Sequence, residues 1–468
     1  MTRTALSLLI MLSLLGGANA EMTDPAAGDD AAMAQTPEFP ADEDWSEEDE
    51  DTSLDFSGRV KVESAIGVNR GRGQKLEMLF EPQVEFIAGD LTLTAIARAL
   101  VDPLDELDPG KPGQSSVSQY TRRWLIGDSG ELDLRELYVE TSLGETLLTV
   151  GKQQIVWGQA DGLKVLDIVN PQYFREFILA PFSDSRIPLW ALNVEVPIDP
   201  FVVQVVWIPD QTYHVLPEPD GDFAFTSPRL IPTPPPGIPV VVDEPDRPRR
   251  VVSDSDAGVR VSTFWLGWDV TFNYLYHYDD IPVFSRTVIF PGGGPTVVVT
   301  PEYRRAHMVG STASKAFGNV TVRGEFAAFL DKRFTTNSVA DADGIVKSDE
   351  ISYVIGLDWF GIDETLISAQ IFQSTITEDQ PGVLRDRTET SVTLLVRHEM
   401  LNDRLMVEAL WLHGVEHGDG LLRPKVQYEV DDHTTVWIGY DFFYGGGSGL
   451  FGQFDSNDRF LLGLEWGF

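Results

Sequence analysis

Four residues carry ligand chemistry at close spacing: His413, Glu416, His417 and Asp419, in the run H-G-V-E-H-G-D-G. Two histidines four apart on one helical face can share a zinc ion through their imidazole nitrogens. This run reads instead as the end of a strand and a short glycine-containing loop. His413 and His417 are therefore weak candidates, and no metal is expected. The remaining histidines are scattered, and none sits in a pattern that gathers a nucleophile, a base and an acid. No enzymatic activity and no cofactor are expected. Cysteine is absent, which excludes thiolate metal sites, haem attachment through paired cysteines and a disulfide framework. The glycine tracts 292–294 and 445–447 do not open helices, so they read as flexible loops and not as phosphate cradles.

A second set of residues could sort solutes instead of transforming them. The stretch W-G-Q-A-D-G-L-K-V-L-D-I-V-N-P-Q-Y-F-R-E-F, residues 157–177, follows G-K-Q-Q-I-V and mixes aromatic with polar side chains. An exposed loop has no reason to be this aromatic. Folded into a lumen, the same side chains would pack on a wall and set a constriction. Lys152, Gln154, Trp157, Gln159, Asp161, Asp167, Asn170 and Arg175 are the candidates for that constriction or for solute binding. Asn170-Pro171 predicts a turn, with a short amphipathic helix over 172–179.

The elements that position these residues follow from a period of two. Alternation predicts strands at 56–68, 76–88, 90–100, 131–143, 145–156, 187–196, 201–208, 257–266, 269–278, 302–317, 319–332, 349–360, 364–375, 387–400, 403–415, 421–431, 433–443 and 457–468. That makes about eighteen, with 16 or 20 as neighbouring counts. In 269–278, Val270, Phe272, Tyr274 and Tyr276 share one face, with Thr271, Asn273 and His277 on the other. Basic residues such as Arg59, Lys61, Arg98, Arg135, Arg323, Arg397 and Lys425 fall on the polar face, as do Glu63, Glu136, Glu325 and Glu408. They either set a transverse field in a pore or pair across strands. Short turns alternate with longer connections, notably 101–130, 157–186, 209–256 and 279–301. The eleven prolines of 209–256 deny it regular helix or inner strands.

This is the pattern of an all-β, transmembrane, antiparallel up-and-down β-barrel, whose third outer loop would fold into the lumen. The last strand agrees. Phe460, Leu462, Leu464, Trp466 and Phe468 take alternate positions up to the final residue, and form a membrane-insertion signal read by barrel assembly machinery. Residues 1–20 read as a signal peptide, with Arg3, an apolar core and Ala18-Asn19-Ala20. Residues 21–55 form an acidic leader with no Lys or Arg, expected to be disordered in the periplasm and available to a periplasmic partner. The formal charge of −38 argues against nucleic acid as a partner. The expected setting is the outer membrane of a Gram-negative bacterium, among lipid and lipopolysaccharide, with both termini periplasmic.

Residues 135–195 carry a further signal. The blocks R-E-L-Y-V-E (135–140), V-G-K-Q-Q-I-V-W-G-Q-A-D-G-L-K-V-L-D-I-V-N-P (150–171), R-E-F (175–177) and D-S-R-I-P-L-W (184–190) resemble an uncharacterised family of proteobacterial outer-membrane barrels, known by a domain of unknown function. The resemblance implies a porin-like barrel that moves small molecules, and it supplies no catalytic residues. The expected function is a porin-like channel for a small solute, constricted by the loop 157–186. The alternatives are a transporter of hydrophobic molecules with lateral exit, or a structural barrel that docks a periplasmic partner through its acidic tail.

Overall fold

The computed structural model describes residues 52–232 and 236–468. The predicted signal peptide and all of the acidic leader up to residue 51 lie outside the described residues. The wall is a closed antiparallel barrel of eighteen strands. They are β1 (Thr52–Gly67), β2 (Arg72–Ala88), β3 (Leu91–Val101), β4 (Gly130–Leu143), β5 (Thr146–Gln153), β6 (Leu189–Ile198), β7 (Phe201–Ile208), β8 (Asp256–Trp265) and β9 (Trp268–Tyr278). The second half comprises β10 (Arg305–Phe317), β11 (Val320–Thr335), β12 (Ile345–Ile362), β13 (Thr365–Ile376), β14 (Thr388–Met400), β15 (Leu405–Gly414), β16 (Asp419–Asp431), β17 (Thr434–Tyr444) and β18 (Arg459–Gly467). Each pairs with its sequence neighbours, and β18 closes on β1 from Arg59↔Gly467 to Gly67↔Arg459. Closure pairs the first strand with the last, so the sheet has no free edge strand, which is the condition for a sheet to span lipid.

Alternation sorts the side chains as expected. Ile351, Ile355, Leu357 and Trp359 of β12 are exposed outward, while Ser352, Val354 and Asp358 are buried within. On β18, Phe460 and Leu462 are 54% and 62% exposed beside buried Leu461. An outward surface this apolar belongs in a bilayer. No helix among the described residues is long and apolar enough to cross a membrane.

Several boundaries differ from the sequence reading, each for a local reason. β5 stops at Gln153, because Ile155 and Trp157 turn inward and become buried. β11 and β12 run on to Thr335 and from Ile345, so the connection between them is short. The proline-rich loop contributes one short strand after all: Val240–Val242 pairs in parallel with Thr296–Glu302, itself in a hairpin with Val283–Ile289. Residues 172–179 are not helical. Their backbone is spent on extended partners, with Tyr173 N donating to Ser185 O and Phe174 N to Val215 O. The helix in this loop is the single turn Phe182–Ser185.

Candidate functional site

The third long-side loop, residues 154–188, crosses the bore and touches the wall around its circumference. Its first half packs against β6–β13. Ile155, Trp157, Val165, Leu166 and Val169 form one apolar cluster with Leu189, Val206, Leu275, Met308, Phe329, Val354 and Phe372 of the wall. Two glycines make the room. A methyl group at Gly258 would meet the Trp157 ring at 2.6 Å, and one at Gly310 would press on Leu166 and meet Phe326 O at 2.7 Å. Polar groups fix the register of the contact. Trp157 Nε1 donates to Gln204 Oε1 at 2.8 Å. Glu325 accepts from the Gln159 and Leu166 amides. Arg323 pairs with Asp161 and donates to Gln159 O.

The second half of the loop is held by charge. Arg175 is engaged by three carboxylates, Glu77, Asp102 (3.0 Å) and Asp108 (2.7 Å). Glu176 lies 2.6 Å from Lys75 and 2.7 Å from Arg459. Asp184 lies 2.6 Å from Arg59 and 2.9 Å from Arg98. Burial opposes the charge on Glu176 and Asp184; the cations around them more than reverse this and hold both carboxyls far below the usual carboxylate range. Burial pushes the Tyr173 phenol up, so it stays a neutral donor to Asp108 at 2.9 Å. Burial also lowers His214 to about 3, and its neutral Nδ1 accepts from the Gln172 amide at 2.9 Å.

Between this second half and β1–β4 with β14–β18 lies a cavity of about 620 Å³. Eleven Lys or Arg and nine Asp or Glu side chains line it, so its walls carry a slight positive excess within a chain of net charge −38. Apolar surface is interleaved with the charge, from Leu100, Val117, Leu179, Ile187 and Trp437 among others. The bore is thus divided into a packed half and an open, charged half.

The eight candidate loop and strand residues fall into different places. Arg175 lines the cavity. Trp157, Gln159 and Asp161 tie the loop to the packed half. Asp167 pairs with Arg186 at 2.8 Å and Lys164 at 2.7 Å, inside the loop itself. Asn170 takes the Ile155 amide and donates to Ile187 O, which closes the base of the loop. Lys152, in β5, and Gln154, the first residue of the loop, lie against Asp133 and Glu136 of β4. Sequence reasoning missed Lys75, Glu77, Glu176, Asp184 and Arg459. Their signal is the opposite sign of acids in the loop and bases on inward positions of β1, β2 and β18. His413 and His417 do not converge: His413 Nδ1 meets Tyr444 Oη at 3.0 Å, and His417 Nε2 meets Asp386 at 2.7 Å. Among the described residues no group of three or more His, Cys, Asp or Glu side chains is placed to hold a metal.

The fold has solved counterparts. OccAB1 of Acinetobacter baumannii matches at 9% identity over 90% of this chain and 97% of that one, with a TM-score of 0.51. The outer membrane protein OpdK of Pseudomonas aeruginosa is 10% identical over 89% and 99%, with a TM-score of 0.48. OccK5 (OpdH) of Pseudomonas aeruginosa is 11% identical over 90% and 98%, with a TM-score of 0.47. At 9% identity the likeness to OccAB1 is one of fold alone. No curated protein matches the chain. Residues 112–468 match the family model described as a protein of unknown function, DUF1302, and the chain belongs to that family.

Proposed function

We propose that this protein is a porin-like channel of the outer membrane, with both termini on the periplasmic side and its bore narrowed by the loop 154–188. The observation that carries the reading is the loop's attachment. It is strapped across a closed barrel by ion pairs and an apolar seam, and it leaves a solvated charged cavity beside it. A structural plug would gain nothing from keeping half the bore open. A cavity lined by charges of both signs suits a small polar or amphipathic solute, because opposed charges order water and exclude purely apolar cargo. An eighteen-strand wall is wide enough for an aqueous channel unless something narrows it.

The test is single-channel recording in planar bilayers. Wild type is expected to conduct weakly, and deletion of residues 160–180 to raise conductance several-fold. If neither form conducts, the channel reading fails. If the deletion leaves conductance unchanged, the loop is not the constriction.

A further inference from the structure

The wall is incomplete at one place. β4 runs from Gly130 to Leu143, but β5 pairs only with residues 137–143 of it, from Leu137↔Lys152 to Leu143↔Thr146. At the other end of β4, the short strand Trp124–Ile126 folds back onto residues 130–132. Residues 133–136 between them have no backbone partner on that side among the described residues, although β3 pairs with Asp133, Leu134 and Glu136 on the other. Four residues of unpaired edge make a slot roughly 13 Å long at ~3.3 Å per residue.

Side chains close this slot. Lys152, 1% exposed, runs along it so that Nζ donates to Leu134 O and lies 3.2 Å from Asp133. Gln154 Nε2 donates to Glu136 Oε1 at 2.7 Å. Gly151 permits the close approach: its φ is +139°, and a methyl group there would press on Leu137 O and meet Tyr138 Cα at 2.6 Å. Seven residues of β4 lie between the slot and the short turn, about 18 Å along the barrel axis at the usual strand tilt. Trp124 and Ile126 are 62% and 64% exposed beside it, so its outer mouth opens on apolar surface. A lysine inside a membrane wall is expensive and marks a working site. A rotamer change is enough to move it aside, whereas a backbone ladder would have to be unzipped.

The inner mouth opens on the cavity. Asp133 and Arg135 line it, together with Leu100, Val117 and Ile187. Arg135 is the bulged residue skipped in the β3–β4 register. It donates to Ser183 O, and among the described residues no carboxylate lies within 4.0 Å of it. A guanidinium that makes no direct ion pair within 4.0 Å among the described residues, beside apolar side chains and a side-chain latch, describes a receptor for an organic acid with an apolar body.

We propose that residues 133–136 with Lys152 and Gln154 form a lateral hatch. Through it an amphipathic organic acid, held at its acid group by Arg135, passes between the cavity and the membrane. The proposal rests on the channel reading for access to the cavity, and the experiment separates the two. The chain has no cysteine, so Glu136→Cys with Gln154→Cys places a unique pair across the slot. A bismaleimide bridge serves where the disulfide itself does not close. The variant is reconstituted in vesicles and given a pyrene-labelled short-chain carboxylate, while potassium chloride conductance is recorded in parallel. Bridging is expected to slow delivery of the probe into lipid at least tenfold, with conductance the same in bridged and unbridged forms and, where the bridge is the disulfide, delivery restored by reductant. Unchanged delivery, or an equal fall in delivery and conductance, overturns the hatch. Delivery that responds to bridging in a protein that never conducts sinks the channel and leaves the hatch. Arg135→Gln is expected to raise half-saturation for the acid about tenfold and to leave the probe's neutral amide unaffected. An equal effect on both removes Arg135 as the acid contact.

Discussion

The loop's second half is an arrangement of single charges, each matched by more than one opposite charge. Arg175 sits among three carboxylates, Glu176 between two cations and Asp184 among three. Removing one member of such a set strands the others without water, which costs far more than an exposed pair would. The pH response follows from the sign. Both carboxyls are held below their unfolded values, so their contribution is fully present above about pH 4 and is lost only as pH falls toward the depressed values. Conductance is therefore expected to stay level from pH 8 to pH 5 and to rise only below about 4, as the loop detaches. A rise already between pH 7 and 5 would mean that these two carboxylates do not hold the loop.

At the scale of elements, the packed half of the bore works through fit. β8 and β10 carry glycine where Trp157 and Leu166 land. Gly310→Ala is expected to cost about 1–3 kcal/mol through overpacking, and to raise conductance by displacing the loop. Gly324→Ala is the matched control, because its nearest contact would be an ordinary 3.4 Å to Val354 O, and it should change neither stability nor conductance. An unchanged Gly310→Ala variant would show that the seam has slack. These elements also show where legibility ended. Strand alternation is a strong signal because one face of every strand meets lipid, and 201–208 reads identically in sequence and structure. The inward apolar residues Leu275, Met308, Phe329 and Val354 interrupt an otherwise polar inner face. They are the floor for the loop, and nothing local in those strands says what covers them. The expected helix at 172–179 failed for a related reason: its hydrogen-bond partners, Ser185 and Val215, are distant in sequence.

At the scale of the whole molecule, the strand count, the closure of β18 on β1 and the entry of the third loop into the lumen were all legible. The count follows from alternation, closure from the bilayer's demand for paired backbone, and the loop's entry from its aromatic side chains. The division of the bore and the slot in the wall were not, because both depend on where one loop comes to rest. The membrane-facing belt carries its own prediction. Leu462, outward on β18, is expected to lose about 2–4 kcal/mol on change to Arg if it lies at mid-depth, read as a lower urea midpoint for the heat-modifiable folded form. A loss near zero would place that position at the interface. The pair between Arg459 and Glu176 also ties the loop to the closing seam. Arg459 is the first residue of the closing strand and is 1% exposed, and its partner belongs to the loop inside. If the seam sealed with the loop outside, Arg459 would be left with only Asp441 for its charge. Seam and constriction therefore share one guanidinium: whatever loosens the loop at Glu176 also unbalances the strand that closes the barrel.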